Sequence, residues 1–377
     1  MAKNNNFTDF LTDVANAIRE KDGSTGTINP QNFSDKIKAI QTGVDTSDGN
    51  IEPTTVLKGY KGYAKGVAVN GAIETYDGTV EDVVVVYTDC LTFTGETSEF
   101  TLKATNKTWD GTLQWSTDHN TWTTLSGTET MQSVGKKLYL RGKGNTTFYN
   151  TSSYNGVKWQ LSAKAGCSGN IQTLLDWESP PTSIPTADCY NSMFEGCTNL
   201  TTAPALPATT LTVGCYSRMF LSCTSLTTAP ELPAMTLEAY CYSRMFAECF
   251  SLTTAPELPA MTLEVSCYFR MFSDCKNLII VPELPATTLK DNCYSEMFNG
   301  CKNLTTAPVL PATTLAISCY KFMFGNCTKL KVNTSSGNKI FTCPSTIPDR
   351  AVNDMFASTG GSFTGTPTAG TTYYYTL

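Results

Sequence analysis

The sequence predicts an α+β multidomain protein made of an N-terminal helical and β module, a β-sandwich and a solenoid of 26-residue coils. Apolar residues within 7–20 recur at the spacing of an amphipathic helix. From residue 83, short segments alternate apolar and polar positions. Six cysteines from Cys189 to Cys319 recur in steps of 26 residues. We therefore predict a module at 1–80, a sandwich at 83–165, repeats with degenerate caps at 166–360 and a tail at 361–377.

The N-terminal module is predicted to contain two helices and a hairpin. The first helix is indicated by the apolar stripe Phe7, Phe10, Leu11, Val14 and Ile18. A second is expected from Asn29, an N-cap residue followed by Pro30, to Gly43. Short β runs follow, with Asn70-Gly71 as the predicted hairpin turn.

The predicted sandwich carries three tryptophans, Trp115, Trp122 and Trp159. They either fill its core or form an exposed aromatic platform for sugars. Buried aromatic residues are the commoner case, so we expect a core role.

The repeat unit reads CYxxMFxxCxxLTTAPxLPATTL. At about 100° per residue, Cys215, Tyr216, Met219, Phe220 and Cys223 share one arc, which favours a helix for this half of the unit. A short extended segment is expected to begin at the repeated leucine and to stop before the proline, which cannot donate to a strand ladder. Coils of this kind bury their apolar arcs only by stacking, and the degenerate units before Cys189 and at 351–359 are the expected caps.

Twelve of the fifteen cysteines occupy repeat positions. Their eight-residue spacing on a helix separates the sulfur atoms by about 12 Å, which is beyond the reach of a disulfide. The chain has no Cys-x-x-Cys pair and a single histidine, His119. We therefore expect ladders of buried free thiols and predict neither a metal nor a cofactor.

Catalysis is not predicted. His119 stands in a Ser-Thr-Asp-His-Asn-Thr segment that resembles an exposed loop and carries no catalytic motif. Glu231, Glu257 and Glu283 occupy one repeat position, which indicates a surface ladder and not the paired carboxylates of a glycosidase.

Arg218, Arg244 and Arg270 form a second ladder and are the candidate ligand face, suited to an acidic ligand. The alternative is a solvated helix face held by i, i+4 pairs, namely Arg244 with Glu248 and Arg270 with Asp274.

Charge and hydropathy limit the partners. The net charge is −6 and there is no run of Lys or Arg, so nucleic acid is not expected. No window reaches the roughly 18 apolar residues of a membrane span, and the start MAKNNNFTDF lacks the pattern of an export signal.

Two segments resemble known families. The Met-Phe-x-x-Cys-x-x-Leu core, over about residues 185–360, resembles the BspA-type leucine-rich repeats of surface and phage proteins from gut bacteria, although those units are nearer about 23 residues and carry Ala-Phe. The segment FLTDVANAIREKDGSTGTINPQNFSDKIKAI with GYKGYAKGVAVNGAI is similar to N-terminal modules of tail and fibre proteins from bacteriophages of gut bacteria, including the crAss-like group.

These resemblances imply a structural fibre protein, on the head or the tail of a bacteriophage. It is expected in the virion after synthesis in the host cytoplasm. Its N-terminal module would bind other virion proteins, its chains would form a homo-oligomer, a trimer by analogy with other fibres, and its repeats would meet a host-surface glycan or protein. The alternatives are a bacterial BspA-like surface adhesin and a virion-borne depolymerase.

Overall fold

The computed structural model describes the backbone of Gly62–Ala64 and Val67–Val69, and residues 90–377 in full. The chain divides into two compact units, Met1–Val85 and Val86–Leu377. In the first, strands β1 (Gly62–Ala64) and β2 (Val67–Val69) pair antiparallel. The predicted helices over 7–20 and 29–43 and the predicted turn at Asn70-Gly71 lie outside the described residues.

The predicted α+β class is wrong, because the described residues contain β-strands and turns but no α-helix. The one helical element among them is a single 3-10 turn at Ile171–Leu174, capped by the Asn170 side chain.

The part that precedes the repeats consists of antiparallel strands with a common core. One sheet has the order β12-β3-β8-β5-β6 and a second has the order β11-β4-β7, while β9 and β10 form a separate hairpin. Alternate residues of the central strands are fully buried, such as Leu91 and Phe93 on β3 and Leu138 and Leu140 on β8. The bounds are β3 Leu91–Gly95, β4 Thr101–Ala104, β5 Thr112–Ser116, β6 Thr123–Thr124, β7 Thr130–Gln132, β8 Lys137–Lys143, β9 Tyr149–Asn150, β10 Asn155–Gly156, β11 Trp159–Leu161 and β12 Ala165–Ser168.

Each repeat is a coil whose CYxxMFxxC half is a chain of tight turns. Every fourth residue there has a left-handed backbone, for example Gly214 (φ 63°), Arg218 (φ 54°) and Ser222 (φ 59°). The same three positions recur in every coil from residue 188 to residue 358. Such a conformation is uncommon outside glycine, asparagine and aspartate, so the coil is a strained but regular structure.

Two alternating sets of hydrogen bonds stabilise this backbone. The amide of Met219 donates to the carbonyl of Tyr216 three residues earlier, at 3.1 Å. The next amide, that of Phe220, instead donates to the carbonyl of Met245 in the following coil, at 2.9 Å. The alternation continues along each coil. Amides that would bond within the segment in a helix instead donate to carbonyls of the neighbouring coil.

The turn chain explains why the helix prediction failed. Cys215 and Tyr216, then Met219 and Phe220, then Cys223 are buried, so the inward positions recur every four residues. Over nine residues, a period of four and the helical period of about 3.6 place the same side chains on one face. The apolar pattern therefore could not distinguish the chain of turns from an α-helix.

Stacked aromatic rings fill the centre of the coils. Adjacent tyrosine rings lie 5.6–6.0 Å apart and adjacent phenylalanine rings 5.5–5.8 Å apart, with interplanar angles of at most 14°. From the second coil to the sixth, the second cysteine donates its thiol to a phenylalanine carbonyl of the preceding coil, as in Cys249 Sγ to Phe220 O at 3.2 Å. The fourteen cysteines from Cys167 to Cys343 are buried and free.

The other half of each coil is extended, but its backbone forms only isolated bridges with the neighbouring coils. Isolated parallel bridges join Thr202 to Thr228, Thr236 to Thr262 and Thr254 to Ile280. Pro204 lies two residues after Thr202 and has no amide hydrogen, so it prevents a longer ladder of hydrogen bonds.

Both ends of the stack are covered. At the start, amides of β12 and its neighbours donate to the first coil, as Cys167 does to Thr202 at 3.0 Å. At the end, residues 349–359 form a last coil, in which Phe356 stacks on Phe324 at 5.8 Å. A sheet of order β14-β16-β13-β15 adjoins it, with Tyr373 of the C-terminal strand fully buried. Its strands are β13 Lys331–Asn333, β14 Asn338–Thr342, β15 Gly360–Gly361 and β16 Thr372–Thr376.

Candidate functional site

A groove of about 560 Å³ crosses the first four coils of the stack. The β9–β10 hairpin forms one wall and contributes Tyr149 and Tyr154. The coils contribute a floor at their left-handed positions, which include Arg218, Tyr240 and Arg244. Because these positions recur in register, side chains 26 residues apart stand beside one another along the groove.

The groove contains two of the three arginines of the candidate ligand face, Arg218 and Arg244. The third, Arg270, is engaged by Glu296 of the next coil at 2.6 Å. The predicted i, i+4 pairs of Arg244 with Glu248 and of Arg270 with Asp274 are absent from the ion pairs of the described residues, and Arg270 pairs with the next coil instead. Within the described part of the chain, neither Arg218 nor Arg244 has a carboxylate within 4.0 Å.

The positive charges of the three arginines lie close enough to affect one another. Burial lowers the pKa of Arg244, and the nearby positive charges of Arg270 and Arg218 lower it further. The guanidinium carbon of Arg244 lies 5.5 Å from the ring centroid of Phe269, and that of Arg270 lies 5.2 Å from the same ring. The ring thus holds both cations by cation–π attraction at the end of the groove.

Acidic and hydroxyl groups share the groove with the arginines. Glu195 forms an ion pair with Lys158 at 3.1 Å. Asp188 accepts from the Asn191 side-chain amide at 2.8 Å. Ser217 and Ser243, which repeat one position, add hydroxyls. The lining therefore offers cations, hydrogen-bond acceptors and hydrogen-bond donors together.

The three predicted core tryptophans separate into different environments. Trp159 is fully buried and Trp115 packs against the core. Trp122 is only half-buried and lies over the guanidinium of Arg141, 4.0 Å from its carbon, while Trp177 covers the same group at the same distance. The core interpretation thus fits Trp159 and Trp115, whereas Trp122 packs against an arginine outside the core.

His119 is not the fully exposed loop histidine that the sequence suggested. It is half-buried, and its Nε2 lies 3.3 Å from Cys90 Sγ. Its ring meets Tyr139 edge-on, 4.8 Å between centroids. Burial and the charge of Arg141 lower its pKa.

The remaining candidates do not converge on a site. Glu231 lines a shallow pocket with the prolines of its coil edge, and the exposed Glu257 and Glu283 follow one and two coils away. Among residues 90–377, no group of three or more His, Cys, Asp or Glu side chains is arranged to hold a metal ion. No helix in the described part is both long and apolar enough to cross a membrane.

Sequence reasoning identified Arg218 and Arg244 but missed the aromatic wall. Tyr149 and Tyr154 lie 64 to 95 residues before the arginines in the sequence, and the fold brings them together. Comparison with family models, with curated proteins and with solved structures yields no match.

Proposed function

We propose that this chain is a structural fibre protein of a bacteriophage that displays its repeats for attachment to the host surface. The observation that carries the proposal is the groove, which is lined by repeated side chains on a stack of coils joined by backbone hydrogen bonds. An array of this kind presents an extended surface and does not enclose a reaction centre.

The stack is suited to display because its geometry is fixed along its length. Two aromatic ladders and the coil-to-coil amide bonds hold neighbouring turns in register. Both ends are covered by strands, which protects the terminal coils from open-ended association. The arginines and tyrosines therefore stand on a rigid support, as specific binding requires.

The placement in a virion rests on the resemblance of the N-terminal segment to phage tail and fibre modules. In this proposal that module binds other virion proteins, and the chains associate as a homo-oligomer, a trimer by analogy with other fibres. The repeats then face outward toward a host glycan or protein. The protein acts by binding, without catalysis.

Mass spectrometry of purified particles tests this function. We expect peptides from the whole chain at a stoichiometry similar to that of other fibre proteins. Detection in the bacterial envelope with absence from purified particles would overturn the proposal in favour of a surface adhesin.

A further inference from the structure

We propose that the groove over the first four coils binds an acidic oligosaccharide, with Arg218 and Arg244 holding sugar carboxylates and the tyrosines supporting sugar rings. This inference rests on the proposed attachment function and names the chemical class of its ligand.

The backbone at the arginines is the first argument. Arg218 and Arg244 have φ values of 54° and 55°, in the left-handed region. Glycine and asparagine adopt this conformation readily, and Gly214 and Asn292 occupy such positions elsewhere in the stack. The conformation recurs in every coil, so it places the two arginine side chains in register, one coil apart, along the groove.

The second argument is that neither arginine forms an ion pair with a carboxylate of the described residues. Arg270 shows how the fold neutralises an arginine of this ladder, through Glu296. The described residues place no carboxylate within 4.0 Å of Arg218 or Arg244; Arg270 and Arg218 repel Arg244, and the more distant Glu296 and Glu248 offset part of that repulsion. An incoming carboxylate would relieve that repulsion, and guanidinium groups bind carboxylates with two parallel hydrogen bonds.

The aromatic walls indicate a sugar as the carrier of the carboxylates. Tyr154 is 84% exposed and Tyr240 is 48% exposed, so their rings are open to a ligand. Such rings offer an apolar face and a polar hydroxyl, which suits the mixed faces of a pyranose. Asp188 and Glu195 in the same groove can accept hydrogen bonds from sugar hydroxyls.

Calorimetric titration of the full chain with trigalacturonate tests the inference, and the carboxyl-reduced, neutral form of the same trisaccharide is the matched ligand. We expect saturable binding of the acid that weakens as salt is added, and at least about 10-fold weaker binding of the neutral form. R218S and R244S should each lose about 10-fold in affinity, and the double variant about 100-fold.

R350S is the matched control. Arg350 also has a left-handed backbone (φ 52°), but it belongs to the last coil, outside the groove. Its replacement should leave affinity unchanged. Y154A, which alters an exposed side chain and leaves the core intact, should weaken binding about 5-fold.

Equal affinity for the acidic and neutral trisaccharides, no binding of either, or an effect of R350S as large as that of R218S would each overturn the inference. These results are independent of particle composition. A chain found in virions that shows no preference for the acid refutes the ligand alone, whereas absence from virions refutes the proposed function whatever the chain binds.

Discussion

Raising the pH should unfold the coil stack sharply, because the stack buries twelve repeat cysteines as neutral thiols. Burial raises the pKa of Cys215, Cys267 and Cys275 to about 12, and it raises the pKa of the other nine repeat cysteines as well. In the unfolded chain each thiol ionises near its ordinary value of about 8.5. Stability from these groups is therefore complete below about pH 8.5 and is lost as pH rises toward the folded values.

The magnitude follows from proton linkage. At about pH 9.5, one pH unit above the unfolded pKa, each thiol that ionises only on unfolding lowers the free energy of unfolding by about 1.4 kcal/mol. Twelve such thiols lower it by about 17 kcal/mol, which exceeds the roughly 5–15 kcal/mol that stabilises a typical domain. We therefore expect a cooperative alkaline transition between about pH 9 and pH 10.

The assay follows circular dichroism and the ultraviolet absorbance of thiolate together during a pH titration under reducing conditions. Thiolate should appear in the same narrow transition as the loss of structure. A gradual rise of thiolate centred near pH 8.5, with the native spectrum retained, would show that the cysteines are not buried as described.

Two pairs of variants test the packing and the backbone by urea unfolding. Phe246→Ala removes a fully buried ring stacked on both sides and should cost about 3–5 kcal/mol, whereas Phe250→Ala, at a half-buried position outside the ladder, should cost about 1 kcal/mol; similar costs would contradict the aromatic ladder. Gly196→Ala and Gly214→Ala should each cost about 1–2 kcal/mol for their left-handed backbone, and at Gly214 the Asp188 carboxylate must also move aside, because its Oδ1 would lie 2.3 Å from the new Cβ; a Gly214→Ala variant as stable as the native chain would refute the turn geometry.

The buried set of each coil follows from the sequence more reliably than its backbone. Cysteine, tyrosine, methionine and phenylalanine at repeated positions identify the inward face whether the period is four or about 3.6. The conformation depends instead on which amides bond to the next coil. Neighbouring coils supply those partners, and the left-handed residues include arginine, glutamate and phenylalanine, which carry no local signal for that conformation.

The candidate site, too, was predictable from the sequence only in part. The arginine ladder is visible as a repeated residue type at a 26-residue spacing, and two of its members line the groove. The sequence does not show which arginines of the ladder are paired, because Arg270 forms its ion pair with Glu296 of the next coil. The tyrosine wall was equally hidden, since it comes from the β9–β10 hairpin of the preceding region.

Competition for adsorption tests most directly the claim that this groove is the recognition surface of an attachment protein. Purified chain is added to host cells before the phage, and adsorbed particles are counted. We expect the native chain and R350S to block adsorption, and the R218S/R244S double variant to lose most of that effect. Equal blocking by the native chain and the double variant, or no blocking by the native chain, would contradict the claim.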